Sequence, residues 1–185
     1  MIHIQNIKLF LSKIQCKILL CTVIELKKEK YSMYQVDEID LQLLRLLQKD
    51  ADITTKELAQ RVNLTNTPVF DRIKRLKKEG YIKKTTAVLC SEKLDVSLIV
   101  FCNVKLKEHT KEIGNQFVKD IMFLKEVTEC YNTSGDFDFL LKVMVKDMKH
   151  YQSFVLQSLG SVKGIGSAHS TFVMGEIKNN HGIPL

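Results

Sequence analysis

The fold of this chain is decided by residues 54–80, TTKELAQRVNLTNTPVFDRIKRLKKEG, which predict two helices joined by a tight turn. Thr54 and Glu57 have the Thr-x-x-Glu spacing of a capping box at the start of the first helix. Asn63 tolerates the left-handed conformation that a tight turn requires. Thr65 then caps the second helix. Two helices separated by a turn of about four residues predict a helix-turn-helix motif. Upstream of it, Asp37 predicts the cap of a preceding helix.

The second of these helices separates into an apolar and a basic face, and Gly80 ends it. Val69, Ile73 and Leu76 recur at helical spacing, which predicts that they are buried. A helix with an exposed basic face is the expected reader of a DNA major groove, although such a face is also common on helices that are merely solvated. The predicted DNA contacts are Thr65, Asn66, Thr67, Asp71, Arg72, Lys74, Arg75 and Lys78.

The net charge of +7 is distributed unevenly along the chain. Residues 54–84 contain nine basic and three acidic side chains, whereas residues 85–185 sum to zero. The excess basic charge of residues 33–185 is therefore concentrated on the helix-turn-helix segment, which favours double-stranded DNA as the partner.

Residues 1–32 differ in composition from the rest, with six Lys and two Glu. Lys8, Lys13 and Lys17 interrupt each apolar run, so no uncharged stretch is long enough to span a bilayer. No small-residue cleavage site of a signal peptide follows. We interpret this segment as an atypical extension, either translated ahead of a true start at Met33 or disordered. The alternative is an amphipathic helix that contacts a membrane or a partner.

The pattern after residue 97 predicts a second domain with the element order strand-helix-strand-strand-helix-strand. Alternating apolar residues predict a strand near 98–106, and residues 126–133 and 137–145 predict a hairpin. Asp147 caps a helix that ends at Gly160, and a last strand covers about 167–177. This order predicts a ferredoxin-like βαββαβ domain, with both helices on one side of the sheet.

The overall prediction is an α+β protein in which a winged helix-turn-helix precedes the ferredoxin-like domain. The predicted domains are 33–90, in which an extended wing or connector strand follows the helix-turn-helix, and 97–178, with a boundary in 91–96 and a tail at 179–185. The sheet has one face without helices, and an apolar bare face requires a partner. We therefore expect a homodimer formed through the sheets.

Five scattered cysteines, with no Cys-x-x-Cys and no matching histidine pair, argue against a zinc site and fit reduced thiols in a cytoplasmic protein. No Ser-His-Asp grouping or Gly-rich phosphate loop is present in the sequence. We therefore expect that the protein is not an enzyme and that it binds no cofactor and no metal.

Several motifs together resemble the Lrp/AsnC (leucine-responsive, feast–famine) family of transcription regulators. The resemblance runs in continuous order from Met33 to about Lys178. It is carried by Asp37-Glu38-Ile39-Asp40, Leu64-Thr65-Asn66-Thr67-Pro68-Val69, Arg72-Ile73-Lys74-Arg75-Leu76, Gly80-Tyr81-Ile82, Glu129-Cys130 and residues 134–142, SGDFDFLLK. It implies a cytoplasmic DNA-binding regulator without membrane contact. It also implies dimers that assemble into tetramers or octamers and that in many members respond to amino acids.

The turn Ser134-Gly135-Asp136-Phe137-Asp138 has chemistry that suits an amino-acid effector. Gly135 permits a positive-φ turn that aims backbone N–H groups at a carboxylate, and Asp136 or Asp138 is able to pair with an ammonium group. The alternative is a plain hairpin turn with solvated acids. The family resemblance implies effector contacts at Gly135, Asp138, Met148 and Val173. Asn132 and Thr171 nearby are polar, which argues against leucine in particular.

Two other functions remain open at the level of sequence. One is an architectural DNA-binding protein that senses no effector, because it would carry the same helix-turn-helix. The other is an enzyme that modifies tetrapyrroles, because some proteins of similar fold do so. The histidines of the second half form no motif that supports this enzyme; they are His109, His150, His169 and His181.

Overall fold

A computed structural model describes residues 34–179 and 182–185 of the chain. These residues form two compact units that divide between Thr86 and Ala87. We call residues 34–86 together with 182–185 the head unit, and residues 87–179 the sheet unit. The predictions for residues 1–32 lie outside the described residues. No described helix is long and apolar enough to cross a membrane.

The head unit contains three helices, whose bounds follow the predicted caps. They are α1 (Glu38–Lys49), α2 (Thr55–Arg61) and α3 (Asn66–Lys78). The side chain of Asp37 accepts a hydrogen bond from the backbone N–H of Asp40 and so caps α1, and a capping box of Thr54 and Glu57 begins α2, as predicted.

The turn between α2 and α3 also has the predicted conformation, with Asn63 at φ +55°. Thr65 occupies the N-cap position of α3, but its side chain makes no capping hydrogen bond. Gly80 has φ +80°, the left-handed conformation that ends a helix and favours glycine. Residues 83–90 then form an exposed connector without regular structure, so the prediction of a connector strand here is wrong; no strand pairs with this segment among the described residues.

The core of the head unit is formed where the three helices meet. Its buried members are Leu43, Leu58, Ala59, Val62 and Val69. The C-terminal residues belong to this unit, because the side-chain amide of Gln48 pairs with the backbone of Ile183. This pairing brings Gly182 so close that a Cβ there would lie 2.4 Å from the amide nitrogen of Gln48.

The sheet unit has the predicted βαββαβ order. The elements are β1 (Leu98–Leu106), α4 (Lys111–Ile121), β2 (Val127–Asn132), β3 (Phe139–Val145), α5 (Met148–Ser153) and β4 (Ile165–Phe172). The strands lie in the order β2-β3-β1-β4 and all pair antiparallel, which is the ferredoxin-like arrangement. The predicted boundary segment contains a short 3₁₀ turn, Glu92–Leu94.

Two bounds differ from the sequence prediction. The helix that begins after Asp147 changes at Phe154 to a π-helical turn and then to a 3₁₀ turn at Leu159–Ser161. The wider turn lets Phe154 and Leu159, five residues apart, both reach the core. The last strand ends at Phe172 rather than near 177. One further hydrogen bond, from the N–H of Val173 to the oxygen of Ile99, reaches the start of β1 at Leu98, so residues near 177 have no strand to pair with.

One face of the sheet packs against α4 and α5, and no helix among the described residues covers the other. Val100, Val104 and Leu141 point to the helix side and are buried with Phe117 and Phe154. The opposite face carries half-buried apolar residues around an ion pair between Lys142 and Glu129. These apolar residues are Ile99, Phe101, Leu140 and Met144.

Candidate functional site

The candidate DNA-reading surface is the exposed side of α3. Val69 and Leu76 are completely buried, so the helix is fixed to the head core by its opposite side. Seven of the eight predicted DNA contacts are exposed, and the eighth, Arg72, is partly buried. The exposed seven are Thr65, Asn66, Thr67, Asp71, Lys74, Arg75 and Lys78.

Arg72 is held inside the head unit by two carboxylates. Its Nη1 atom donates to Asp37 at 2.6 Å and to Asp40 at 2.8 Å. Asp40 is fully buried, and the hydroxyl of Tyr34 also donates to it. The backbone N–H of Asp40 lowers the pKa of Asp37 below its ordinary value, and Arg72 adds to this effect. These contacts tie α3 to the start of α1 and give Arg72 a positioning role.

Arg75 lies over the face of an aromatic ring. Its guanidinium carbon is 4.1 Å from the centre of the Tyr34 ring, which is a cation–π contact. Tyr81 packs edge-on against Tyr34 and donates from its hydroxyl to the backbone oxygen of Tyr34. Arg75 remains exposed, so the stack fixes its direction while its guanidinium stays accessible.

The sequence prediction omits an exposed aromatic residue of α3, Phe70, which is 58% exposed. An aromatic residue next to the apolar positions of an amphipathic helix is usually expected in the core, which explains the omission. The spacing contains the missing signal, because Phe70 follows Asn66 by four residues and precedes Lys74 by four.

The second candidate site is the turn between β2 and β3. Gly135 has φ +121°, a conformation that L side chains rarely adopt. Asp136 next to it is exposed. Asp138 is already engaged, because one carboxylate oxygen accepts from the backbone N–H of Leu106 at 2.8 Å and the other lies 3.0 Å from His109 Nδ1. Of the two acids, Asp136 has the more accessible carboxylate.

The structure does not bring the five predicted effector residues together within one chain. The backbone N–H of Asp138 bonds to Val104 near the end of β1, which places the turn there. Val173 instead bonds to Ile99 at the start of β1, and Met148 follows the β3 end that pairs with Leu98. Seven strand residues, about 23 Å, separate these two ends of the sheet.

Two clefts open on the helix-covered side of the sheet unit, with volumes of about 620 and 600 Å³. Val162 and Lys163 line both. None of the five predicted effector residues lines either cleft. The predicted effector site is therefore separate from both of these clefts.

Comparisons with known proteins agree with this architecture. Residues 36–83 match a family model described as winged helix-turn-helix DNA-binding, and residues 99–183 match the Lrp/AsnC ligand binding domain. The leucine-responsive regulatory protein of Escherichia coli K12 is 38% identical over 146 residues, which cover 79% of this chain and 89% of that relative.

Solved structures agree at the level of the whole described chain. A transcriptional regulator from Neisseria meningitidis, in complex with L-Met, is 31% identical with a TM-score of 0.78, covering 81% of this chain and 97% of that one. An AsnC family regulator from Agrobacterium tumefaciens is 32% identical with a TM-score of 0.76, covering 80% and 96%. The chain belongs to the Lrp/AsnC family of DNA-binding transcription regulators, with a winged helix-turn-helix followed by the family's ligand-binding domain.

Proposed function

We propose that this regulator reads operator DNA with α3 and that an amino acid, bound between copies of the chain, controls the assembly that holds two such helices on DNA. The observation that carries the proposal is the exposed polar face of α3, opposite Val69 and Leu76, which are completely buried. Asn66 and Thr67 at its N-terminus are suited to base edges, and Lys74 and Lys78 farther along are suited to phosphates.

Replacing Lys74 and Lys78 together by Ala tests the DNA-reading surface. We expect weaker binding to every DNA sequence. The slope of log affinity against log salt concentration should become shallower by about 0.9 for each lost phosphate contact. The matched control is Lys119→Ala with Lys125→Ala, which removes the same charge from exposed positions of the sheet unit. Equal losses in the two double variants would show only a nonspecific effect of net charge and would contradict the assignment.

The effector part of the proposal rests on the distance, within the sheet unit, between the two groups of predicted effector residues. A free amino acid is much shorter than the roughly 23 Å between the Gly135 turn and the end that carries Met148 and Val173. A site that uses both sets must therefore take them from different copies. The L-Met complex of the Neisseria relative supports an amino acid as the ligand class.

The helix-free sheet face supports assembly. Ile99, Phe101, Leu140 and Met144 are half-buried there in the single chain, and a second copy would remove them from water. A dimer would also place two α3 helices on two half-sites of DNA. Higher assembly, to a tetramer or octamer, would then bring the Gly135 turn of one copy next to the Met148 end of another copy.

A mixing experiment tests whether the site is shared. Gly135→Ala changes the turn and Met148→Ala changes the other end, so each variant alone should lose its response to amino acids in a thermal-shift and sedimentation screen. An oligomer mixed from both variants should recover part of the response, because some of its sites receive both unaltered halves. A monomer at micromolar concentration would contradict the shared site. An oligomer whose size and DNA binding no amino acid changes would instead support an architectural protein.

A further inference from the structure

Phe70 is a large apolar side chain on the otherwise polar side of α3. Successive residues of an α-helix turn by about 100°, so the neighbouring Val69 reaches the head core while Phe70 leaves it. Val69 is fully buried, whereas 58% of Phe70 is exposed. Among the described residues no other aromatic ring stacks on Phe70. Packing within the head unit therefore does not explain an aromatic residue at this position.

The position of Phe70 places it between the two kinds of polar side chain on α3. It lies one helical turn after Asn66 and Thr67 and one turn before Lys74, and all three are exposed. On a helix that enters the major groove, the first residues reach base edges and later basic residues reach phosphates. Phe70 is thus close enough to the N-terminus to face bases.

A phenyl ring has no hydrogen-bond donor or acceptor on its edge, which limits what it is able to recognise. The edges of the base pairs in the major groove offer N–H, nitrogen and oxygen groups and a single kind of apolar group, the C5 methyl of thymine. We infer that Phe70 is a specificity-determining residue that contacts a thymine methyl group in the operator. This inference rests on the proposed groove binding of α3.

The inference is tested with a duplex selected from a random-sequence pool by the full-length protein. Each thymine is replaced in turn by deoxyuridine, which removes only the methyl group and keeps the base pair. We expect at least one position in each half-site where wild-type affinity falls by roughly fourfold, the factor that corresponds to about 0.8 kcal/mol for burial of one such carbon group. Phe70→Ala should bind the thymine and deoxyuridine duplexes equally at that position.

Two control variants separate this inference from the proposed groove binding. Lys74→Ala should bind both duplexes more weakly and keep the preference for thymine, because it removes only a phosphate contact. Phe123→Ala, at an 84% exposed position of the sheet unit, should change neither affinity nor preference.

The outcomes are distinct. A Phe70→Ala variant that keeps the thymine preference, or a wild-type protein that is insensitive to every deoxyuridine, overturns the inference and leaves groove binding by α3 intact if Lys74→Ala still weakens binding. If Lys74→Ala and Phe70→Ala both bind as the wild type does, the assignment of α3 is wrong as well.

Discussion

Arg72 and Asp40 form an ion pair of 2.8 Å in the head unit, and the Asp40 side chain is completely buried. The two residues are 32 positions apart and belong to different helices, α3 and α1. The contact therefore fixes the reading helix relative to the first helix of the head. Arg72, which the sequence predicts as a DNA contact, also pairs with a buried carboxylate.

We expect Arg72→Ala to destabilise the head unit by about 3–5 kcal/mol, because it leaves the carboxylate of Asp40 buried without its cation. The matched control is Arg45→Ala, which breaks the exposed pair with Glu38 at 3.4 Å and should cost less than about 1 kcal/mol. Denaturant unfolding of the full chain measures both. Similar losses in the two variants would contradict a special role for the buried pair.

The head unit should lose stability in acid. The pKa of Asp37 is lowered by the backbone N–H of Asp40 and by Arg72, and the pKa of Glu57 is lowered by its hydrogen bonds with Thr54. A carboxyl group whose pKa is lower in the folded protein stabilises the fold at pH values above its unfolded pKa, about 4. This contribution is lost as the pH falls through the lower pKa of the folded state. Unfolding temperatures measured from pH 7 to pH 3 should therefore fall mainly below pH 4. The fall should be smaller in Asp37→Asn, and an equal fall would exclude Asp37 as a source.

Tyr34 should orient Arg75 for DNA. Tyr34→Ala removes the ring that lies 4.1 Å from the guanidinium, and a cation–π contact at an exposed site is worth about 0.5–1 kcal/mol. We expect a loss of affinity of about two- to fivefold in a fluorescence anisotropy titration. Tyr34→Phe keeps the ring and should retain the affinity. If both variants bind alike, the ring is not what positions Arg75.

Two substitutions of Asp138 should separate the structural role of its acceptor oxygen from a binding role of its negative charge. Asp138→Ala leaves the N–H of Leu106 without its acceptor and should destabilise the sheet unit by about 1–3 kcal/mol. Asp138→Asn keeps an acceptor oxygen but removes the charge, so it should fold normally. Loss of the amino-acid response in Asp138→Asn would assign the charge to the effector's ammonium group, as the sequence predicts. A retained response would contradict that role and leave Asp136 as the candidate.

A chain that begins at Met33 should fold, assemble and select the same DNA sequences as the full chain. Residues 1–32 carry a charge of +4 and lie outside the regular pattern, so their removal should lower only the nonspecific, salt-dependent part of DNA affinity. Sedimentation and a repeated selection from random DNA measure this. A change in assembly or in the selected sequence would show that the segment contributes to the folded protein.

The sequence alone determines the features that depend on one or two helical turns. Asp37, Thr54 and Asn63 act on backbone groups within a few residues, so their roles as caps and turn residues are readable without tertiary information. Apolar spacing likewise identified Val69 and Leu76 as buried, because the helical period fixes which side chains share a face. The strand and helix order of the sheet unit follows from the same local periodicities.

The tertiary structure decides what depends on a distant partner. Arg72 could face DNA or a carboxylate, and only the packing of α3 against α1 selects Asp40. The end of β4 is set by the start of β1 at Leu98, because residues near 177 would extend past it and have no strand to pair with. Val173 could lie at either end of the sheet, and only the antiparallel pairing of β4 with β1 places it at the end that carries Met148 rather than at the Gly135 turn. Local patterns contain no information on these relationships, because each is fixed by a contact between segments far apart in the chain.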